Sequence, residues 1–150
     1  MTDSISAYVS LPGQTEEAFT LWHSIFGGDL NIIKYGNQPM EGMPFTPDPE
    51  AVAHVTLRTE SWGIAGADQA MPNEEYPVRG TAYSLLVEVE SPERGKEIIE
   101  RFLGAGGEIN MPFALAPWGD WYGQVFDPFG VMWSLSTAQA AQAAQTNQEA

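Results

Sequence analysis

The 150-residue chain contains no cysteine. Disulfides, thiolate metal sites and cysteine nucleophiles are therefore excluded, and this composition is typical of a cytoplasmic protein. Basic residues are scarce as well, because six Lys and Arg stand against 20 Asp and Glu, for a formal net charge of -14. Binding to nucleic acid or to an anionic membrane depends on Lys and Arg contacts to phosphate, so we expect neither partner. The acidity itself is explained by solubility.

Long apolar runs are also missing. No stretch reaches the roughly 18 residues that a membrane-spanning helix needs. The first four residues, Met1-Thr2-Asp3-Ser4, lack the positive start and the apolar stretch of a signal peptide. Hydrophobic residues nevertheless make up 43% of the chain, which is enough to build a packed core. The sequence therefore predicts a globular protein, and its length fits one domain.

The same order of elements occurs twice along the chain. In the first half, Thr15 is a candidate N-cap of an amphipathic helix that ends at Gly27. In the second half, Ser91 caps a helix with Pro92 at its first position, and Gly104 begins the glycine-rich stretch that stops it. Alternating and β-branched segments predict one strand before and three strands after each helix, at 5–11, 30–35, 51–59, 63–67, 81–89, 108–114, 121–126 and 131–136.

These elements predict a single domain over residues 4–137. Unit one spans 4–68, a polar linker spans 69–79, and unit two spans 80–137. The Ala/Gln tail at 138–150 has no apolar face, so we expect a frayed helix or disorder there. Residues 127–130, Asp-Pro-Phe-Gly, form a turn between the last two strands, and Asp127 is more readily explained as a turn-former than as a catalytic acid.

The most specific segment is Trp118-Gly119-Asp120-Trp121-Tyr122-Gly123-Gln124-Val125-Phe126-Asp127-Pro128-Phe129-Gly130-Val131-Met132-Trp133. Together with the doubled βαβββ pattern, it resembles the vicinal-oxygen-chelate superfamily, which comprises glyoxalases, bleomycin-resistance proteins and extradiol dioxygenases. The PhnB-like branch is the most similar. The resemblance implies an α+β fold in which two βαβββ units form curved mixed sheets around a concave cleft. It also implies a homodimer.

Metal-using members of that superfamily carry a His or Gln on the first strand of each unit and usually a Glu on the last. At the matching positions this chain has Ala7 and Ser84 on the first strands, Ser134 on the last strand of unit two, and no acid at 65–67. Alanine cannot ligate, and serine hydroxyls are weak ligands beside imidazole and carboxylate. We therefore expect no metal ion and no cofactor at these positions.

One strand of unit one carries the best candidate for chemistry. His54, Thr56 and Arg58 share a face by the two-residue period of a strand. His54 is a candidate hydrogen-bond donor or general base, and the alternative is a structural histidine paired with its neighbours. Arg58 would favour a ligand with a carboxylate or a phosphonate, and the alternative is a surface arginine paired with an acid. The other histidine, His23, is explained by solvent exposure or helix packing.

In unit two, the same reasoning selects Ser84, Leu86 and Ser134 as ligand-contacting residues, with Trp133 pointing the other way. A pocket between the two sets would be apolar with few polar points, which suits a small molecule. Three functions remain open: a metal-free small-molecule-binding protein, a lyase, isomerase or dioxygenase-like enzyme that uses a displaced metal site or His54 as base, and a non-catalytic accessory protein.

Overall fold

Each half of the chain folds in the order strand, helix, strand, strand, strand. The computed structural model describes residues 3–37, 42, 46–69, 77–79 and 82–137. The first half contains β1 (Tyr8–Leu11), α1 (Thr15–Phe26), β2 (Asp29–Lys34), β3 (Val52–Arg58) and β4 (Gly63–Asp68). The second half contains β5 (Leu85–Val89), α2 (Pro92–Gly104), β6 (Glu108–Leu115), β7 (Trp121–Phe126) and β8 (Met132–Thr137). The predicted βαβββ repeat is confirmed.

The chain divides into two compact units, Met1–Tyr76 and Pro77–Ala150. Each unit holds one four-stranded sheet, with strand order β1-β4-β3-β2 in the first and β5-β8-β7-β6 in the second. The first strand of each unit pairs in parallel with the last, and the other neighbours are antiparallel. Mixed sheets of an α+β fold are therefore confirmed, while the unit boundaries at 68 and 80 stay a prediction.

The start of α1 differs from the prediction. Thr15 is the first helical residue and Gln14 is the N-cap residue, whose side chain makes no capping bond. The buried Thr15 hydroxyl instead donates to the carbonyl oxygen of Ala67 at 2.9 Å. A carboxylate at the end of β4 supplies the cap, because Asp68 accepts from the backbone N–H of Thr15 at 3.1 Å and from that of Val52 at 2.8 Å. The prediction that Thr15 caps the helix is wrong, since the acceptor comes from 53 residues away.

Helix α1 packs closely on the sheet of its unit. Phe19 and Trp22 are fully buried and their rings are in contact, with centroids 4.7 Å apart. Gly66 on β4 lies beneath them. A Cβ atom there would collide with the carbonyl oxygen of Val9 and would lie 3.0 Å from Phe19 Cε2. The glycine is thus required for the close approach of helix and sheet.

Helix α2 begins as predicted, because the Ser91 hydroxyl accepts from the backbone N–H of Arg94 at 3.2 Å and Pro92 occupies the first turn. Phe102 is fully buried and stacks on Trp133 of β8 with ring centroids 5.4 Å apart. Trp133 therefore faces the helix. Ser134, the next residue, points to the opposite face of the sheet.

The turn between β7 and β8 is built around Asp127. One carboxylate oxygen accepts from the backbone N–H groups of Phe129 and Val131, both at 3.0 Å, and the other accepts from the Trp133 indole at 3.0 Å. Gly130 has φ of 91°, a left-handed conformation that favours glycine. The assignment of Asp127 as a turn-former is confirmed.

Two predicted strands are shorter than expected, since β1 begins at Tyr8 and β5 at Leu85. The Ala/Gln tail at 138–150 and the first residue of the predicted strand 81–89 lie outside the described residues. Within the described part of the chain, no helix is long and apolar enough to cross a membrane.

Candidate functional site

The sheet of the first unit has one face toward α1 and one face away from it. Val55 and Leu57 of β3 are fully buried on the helix side. Because side chains alternate along a strand, His54, Thr56 and Arg58 lie on the other side, which we call the open face of the first sheet. His54 and Thr56 are half-buried there, and Arg58 is exposed.

A tyrosine that the sequence did not single out reaches His54 across this face. The Tyr8 hydroxyl lies 3.1 Å from His54 Nδ1, and the two rings stack with centroids 5.8 Å apart and an angle of 27°. Strand β4 runs between their strands, and its Ala65 pairs with both Tyr8 and Thr56. The small side chain of Ala65 leaves room for the phenol ring. Tyr8 lies on the face of β1 opposite to the buried Leu11, and this alternation was visible in the sequence. That its partner is His54 depends on the order of the strands in the sheet.

Burial raises the pKa of the Tyr8 phenol, and the nearby Tyr35 hydroxyl raises that pKa further. Tyr8 therefore stays protonated at neutral pH. When its hydroxyl donates to His54 Nδ1, the neutral imidazole carries its own proton on Nε2. The pair then presents an N–H donor on the open face. In the other neutral tautomer, His54 Nδ1–H donates to the Tyr8 oxygen, and His54 Nε2 is then an acceptor on the open face.

Arg58 lies at the end of β3, beside a groove of about 480 Å³. The groove is lined by residues 4–6 and 58–65, which include Trp62 and Ala65. A Cβ atom on Gly63 would lie 3.2 Å from Arg58 Cγ, so the arginine stem runs over Gly63. Among the described residues, no carboxylate forms an ion pair with Arg58. The alternative of a surface arginine paired with an acid therefore finds no support in the described part.

The three residues selected in unit two lie together. The Ser84 and Ser134 hydroxyls are hydrogen-bonded at 2.7 Å. Leu86 pairs with Ser134 in the register of β5 and β8, and it is 60% exposed. Ser84 precedes β5 by one residue instead of lying within it. The face that carries these residues is the open face of the second sheet.

A chain of amides on this second face was not anticipated. The Asn110 amide donates to Gln124 Oε1 at 2.7 Å, and Gln124 Nε2 donates to the Tyr122 hydroxyl at 3.0 Å. The register of β6 against β7 shifts between Ile109 and Met111, so Asn110 sits at an irregularity in the strand. Such irregularities redirect side chains. The two-residue spacing of Tyr122 and Gln124 was visible in the sequence, whereas the irregularity at Asn110 was not.

The family model described as the Glyoxalase/Bleomycin resistance protein/Dioxygenase superfamily matches residues 4–135. The chain belongs to this superfamily. Protein YjdN of Escherichia coli strain K12 is 29% identical over 150 residues, covering 90% of this chain and 95% of YjdN.

Solved structures with the superfamily fold include protein PA1353 from Pseudomonas aeruginosa, with a TM-score of 0.77 and 24% identity over 91% of this chain and 98% of that one. A PhnB protein from Bacillus cereus matches with a TM-score of 0.71 and 24% identity, over 91% of this chain and all of the other, 100%. These two likenesses establish the shared fold, and the family model establishes membership.

The residues present do not fit the metal site of the superfamily. Ala7, Ser84 and Ser134 offer neither imidazole nor carboxylate at the matching positions. Across the described ranges, no group of three or more His, Asp or Glu side chains is placed to hold an ion. Tyr8 and His54 would supply only two donors, and transition ions in proteins usually take at least three.

Proposed function

We propose that the chain is a small-molecule-binding protein whose ligand lies against Tyr8, His54 and Thr56 on the open face of the first sheet. The observation that carries this proposal is the hydrogen bond between the Tyr8 hydroxyl and His54 Nδ1 at 3.1 Å. Tyr8 is 56% exposed, so the pair contributes little to packing. An oriented donor on a partly apolar surface is what small-molecule sites use to fix a ligand.

Ser84, Leu86 and Ser134 form the corresponding contact surface on the open face of the second sheet in this proposal. Their support is the serine pair, in which the exposed Ser84 is bonded to the buried Ser134 beside the exposed Leu86. Hydroxyls can both donate and accept, so this surface suits an uncharged polar group. In this proposal no transition metal takes part in binding, because the positions that hold metal ligands in the superfamily are alanine and serine in this chain.

A homodimer in the cytoplasm is part of the same proposal. The absence of cysteine supports the compartment. The net charge of -14 argues against nucleic acid and anionic membranes as partners.

The experiment is a thermal-shift screen of small organic compounds against the wild type and His54→Ala. A compound that binds the native state at about 100 times its Kd should stabilise it by about 2.7 kcal/mol and raise Tm. We expect His54→Ala to lose most of that shift while its ligand-free Tm changes little. His23→Ala is the matched control, because the His23 side chain bonds to the carbonyl oxygen of Gly28, just after α1, and lies away from the open face.

If His54→Ala unfolds the protein or leaves ligand affinity intact, His54 is structural and the proposed site is wrong. If no compound raises Tm in a broad screen, an accessory role without a ligand becomes the better explanation.

An enzyme that uses His54 as general base is the second candidate. In the tautomer in which His54 Nδ1–H donates to the Tyr8 hydroxyl oxygen, Nε2 is free to accept a proton, and the same hydrogen bond then orients the base. A base oriented by a hydrogen-bonded neighbour is the usual arrangement for proton transfer. Mass spectrometry and NMR of the compound after incubation separate the two functions, since a binding protein returns it unchanged.

Elemental analysis of protein purified without chelator should find substoichiometric Zn, Fe, Ni and Mn, and a stoichiometric ion would contradict the metal-free proposal.

A further inference from the structure

Arg58 differs from every other basic residue of the chain. Five of the six Lys and Arg side chains have partners. Lys34 pairs with Glu16 and Glu50, Arg79 with Glu108 and the Phe126 ring, and Arg94 with Glu97. Lys96 lies over the Trp121 ring, and Arg101 also has an interaction partner. Among the basic side chains, that of Arg58 is the one for which the described residues provide no hydrogen bond, ion pair or ring contact, although its backbone pairs within the sheet. In a chain with 20 acidic residues, an arginine side chain without such a partner in the described part requires an explanation.

The geometry of β4 directs Arg58 into the groove defined by residues 4–6 and 58–65. Gly63 is its register partner, and the arginine stem passes over this glycine. On the other side of β3, the register partner of Arg58 is Asp29 of β2. The stem therefore leans away from the carboxylate that could have neutralised it.

The turn from β3 to β4 fixes Trp62 beside Arg58. The Thr59 hydroxyl accepts from the backbone N–H of Trp62 at 3.2 Å, and the Thr59 N–H donates to the Trp62 carbonyl at 2.8 Å. The Trp62 ring contacts Phe26 edge-on, with centroids 6.1 Å apart, and is still 41% exposed. Arg58 and Trp62 thus line one groove next to this turn, together with Ser4, Ser6 and Ser61.

We propose that this groove binds a flat-ringed organic acid, with the acid group on Arg58 and the ring against Trp62. This deepens the proposed function, on which it rests, by naming the ligand class. A guanidinium fork matches a carboxylate or phosphonate bidentately, and an indole offers a surface for a planar ring. Ala65 lines the groove and pairs with Tyr8, so the far end of the ligand lies toward the Tyr8–His54 pair.

One carboxylate in the groove should repel an anionic ligand. Removing its charge therefore tests whether the groove binds an anion. Glu60 lines the groove, is exposed and forms no ion pair with Arg58 among the described residues. Removing its charge should strengthen the binding of an anion. Removing the charge of Arg58 should weaken it.

The probes are benzoate and phenylphosphonate, with benzamide as the uncharged flat compound and cyclohexanecarboxylate as the acid without a flat ring. NMR titration of the full chain follows the Trp62 indole N–H signal, and this method measures binding even when Kd is as weak as about 1 mM. We expect the two aromatic acids to bind more tightly than benzamide and cyclohexanecarboxylate. Arg58→Gln should weaken them about 10- to 100-fold, because a charged bidentate contact is lost.

Arg58→Lys should recover part of that loss, and Glu60→Gln should tighten the binding of benzoate. Arg101→Gln on α2 is the control for net charge and should leave benzoate affinity unchanged. Equal affinity of benzoate and benzamide, or unchanged benzoate affinity in Arg58→Gln, would overturn the proposal. So would the absence of benzoate and phenylphosphonate binding. A His54-dependent ligand found by the broad screen would in each of these cases leave the proposed function standing.

Discussion

At the scale of single residues, the polar side chains of this protein divide into those that hold the fold and those that do not. Asp68 and Asp127 are buried and accept from backbone or indole N–H groups. His54 and Tyr8 pair with each other on an exposed face. Substituting the first kind should lower stability, whereas substituting the second kind should change ligand binding with little effect on stability.

Asp127→Asn tests the first kind. Its carboxylate accepts from the N–H groups of Phe129, Val131 and Trp133, and an amide in its place turns an NH2 group toward one of these donors. We expect the free energy of unfolding to fall by about 3 kcal/mol, since hydrogen bonds to charged groups are worth roughly 1.5–3 kcal/mol each. Urea unfolding followed by tryptophan fluorescence measures it.

Asp48→Asn is the control for that substitution, because Asp48 is exposed in a turn and accepts from the backbone N–H of Glu50 at 2.9 Å. It should change the unfolding free energy by well under about 1 kcal/mol. Equal effects of the two substitutions would show that the Asp127 network does not hold the β7–β8 turn.

At the scale of elements, the hydrophobic alternation and the turn residues were sufficient to predict all eight strands and both helices, with ends shifted by up to three described residues. The Ser91 cap was predictable because its acceptor and its donor are three residues apart. The cap on α1 was not, because Asp68 reaches Thr15 only once β4 lies beside β1.

The same distinction holds for the candidate site. The shared face of His54, Thr56 and Arg58 follows from the period of one strand. The Tyr8–His54 hydrogen bond depends on β4 lying between β1 and β3 with a small residue at Ala65, which is a property of strand order. The lack of an ion pair at Arg58 within the described residues depends on where the acids around it lie. Patterns within one element were thus predictable, and contacts between elements were not.

Gly66→Ala tests the packing of α1 on its sheet. The added methyl group would press on the Val9 carbonyl and on the Phe19 ring, both of which are fixed by the sheet and the core. We expect a loss of about 2 kcal/mol in unfolding free energy, within the range for overpacked cores. Gly104→Ala at the end of α2 is the matched control, because no atom lies within 4 Å of the new methyl group. Thermal unfolding by circular dichroism should show a lower Tm for the first variant only.

At the scale of the whole molecule, charge and exposed apolar surface indicate different partners. The net charge of -14 keeps anions away in general, so a groove that binds an organic acid needs a local cation, and Arg58 is placed to supply it. Apolar side chains are meanwhile exposed along β6, which is an edge strand of its sheet. An exposed apolar edge is a surface that natural proteins usually cover.

We therefore predict a homodimer that covers this edge. Ile109, Met111 and Leu115 of β6 are 46%, 45% and 62% exposed, and exposed apolar side chains on an edge strand are a surface through which chains associate. Light scattering at micromolar concentration should give twice the chain mass for the wild type. Leu115→Lys should shift the protein toward the monomer, because a lysine would bring its charge into a desolvated interface. Leu103→Lys, at an exposed position of α2, should remain dimeric. A monomeric wild type would contradict the dimer itself, and a Leu115→Lys variant as dimeric as the wild type would exclude β6 from its interface.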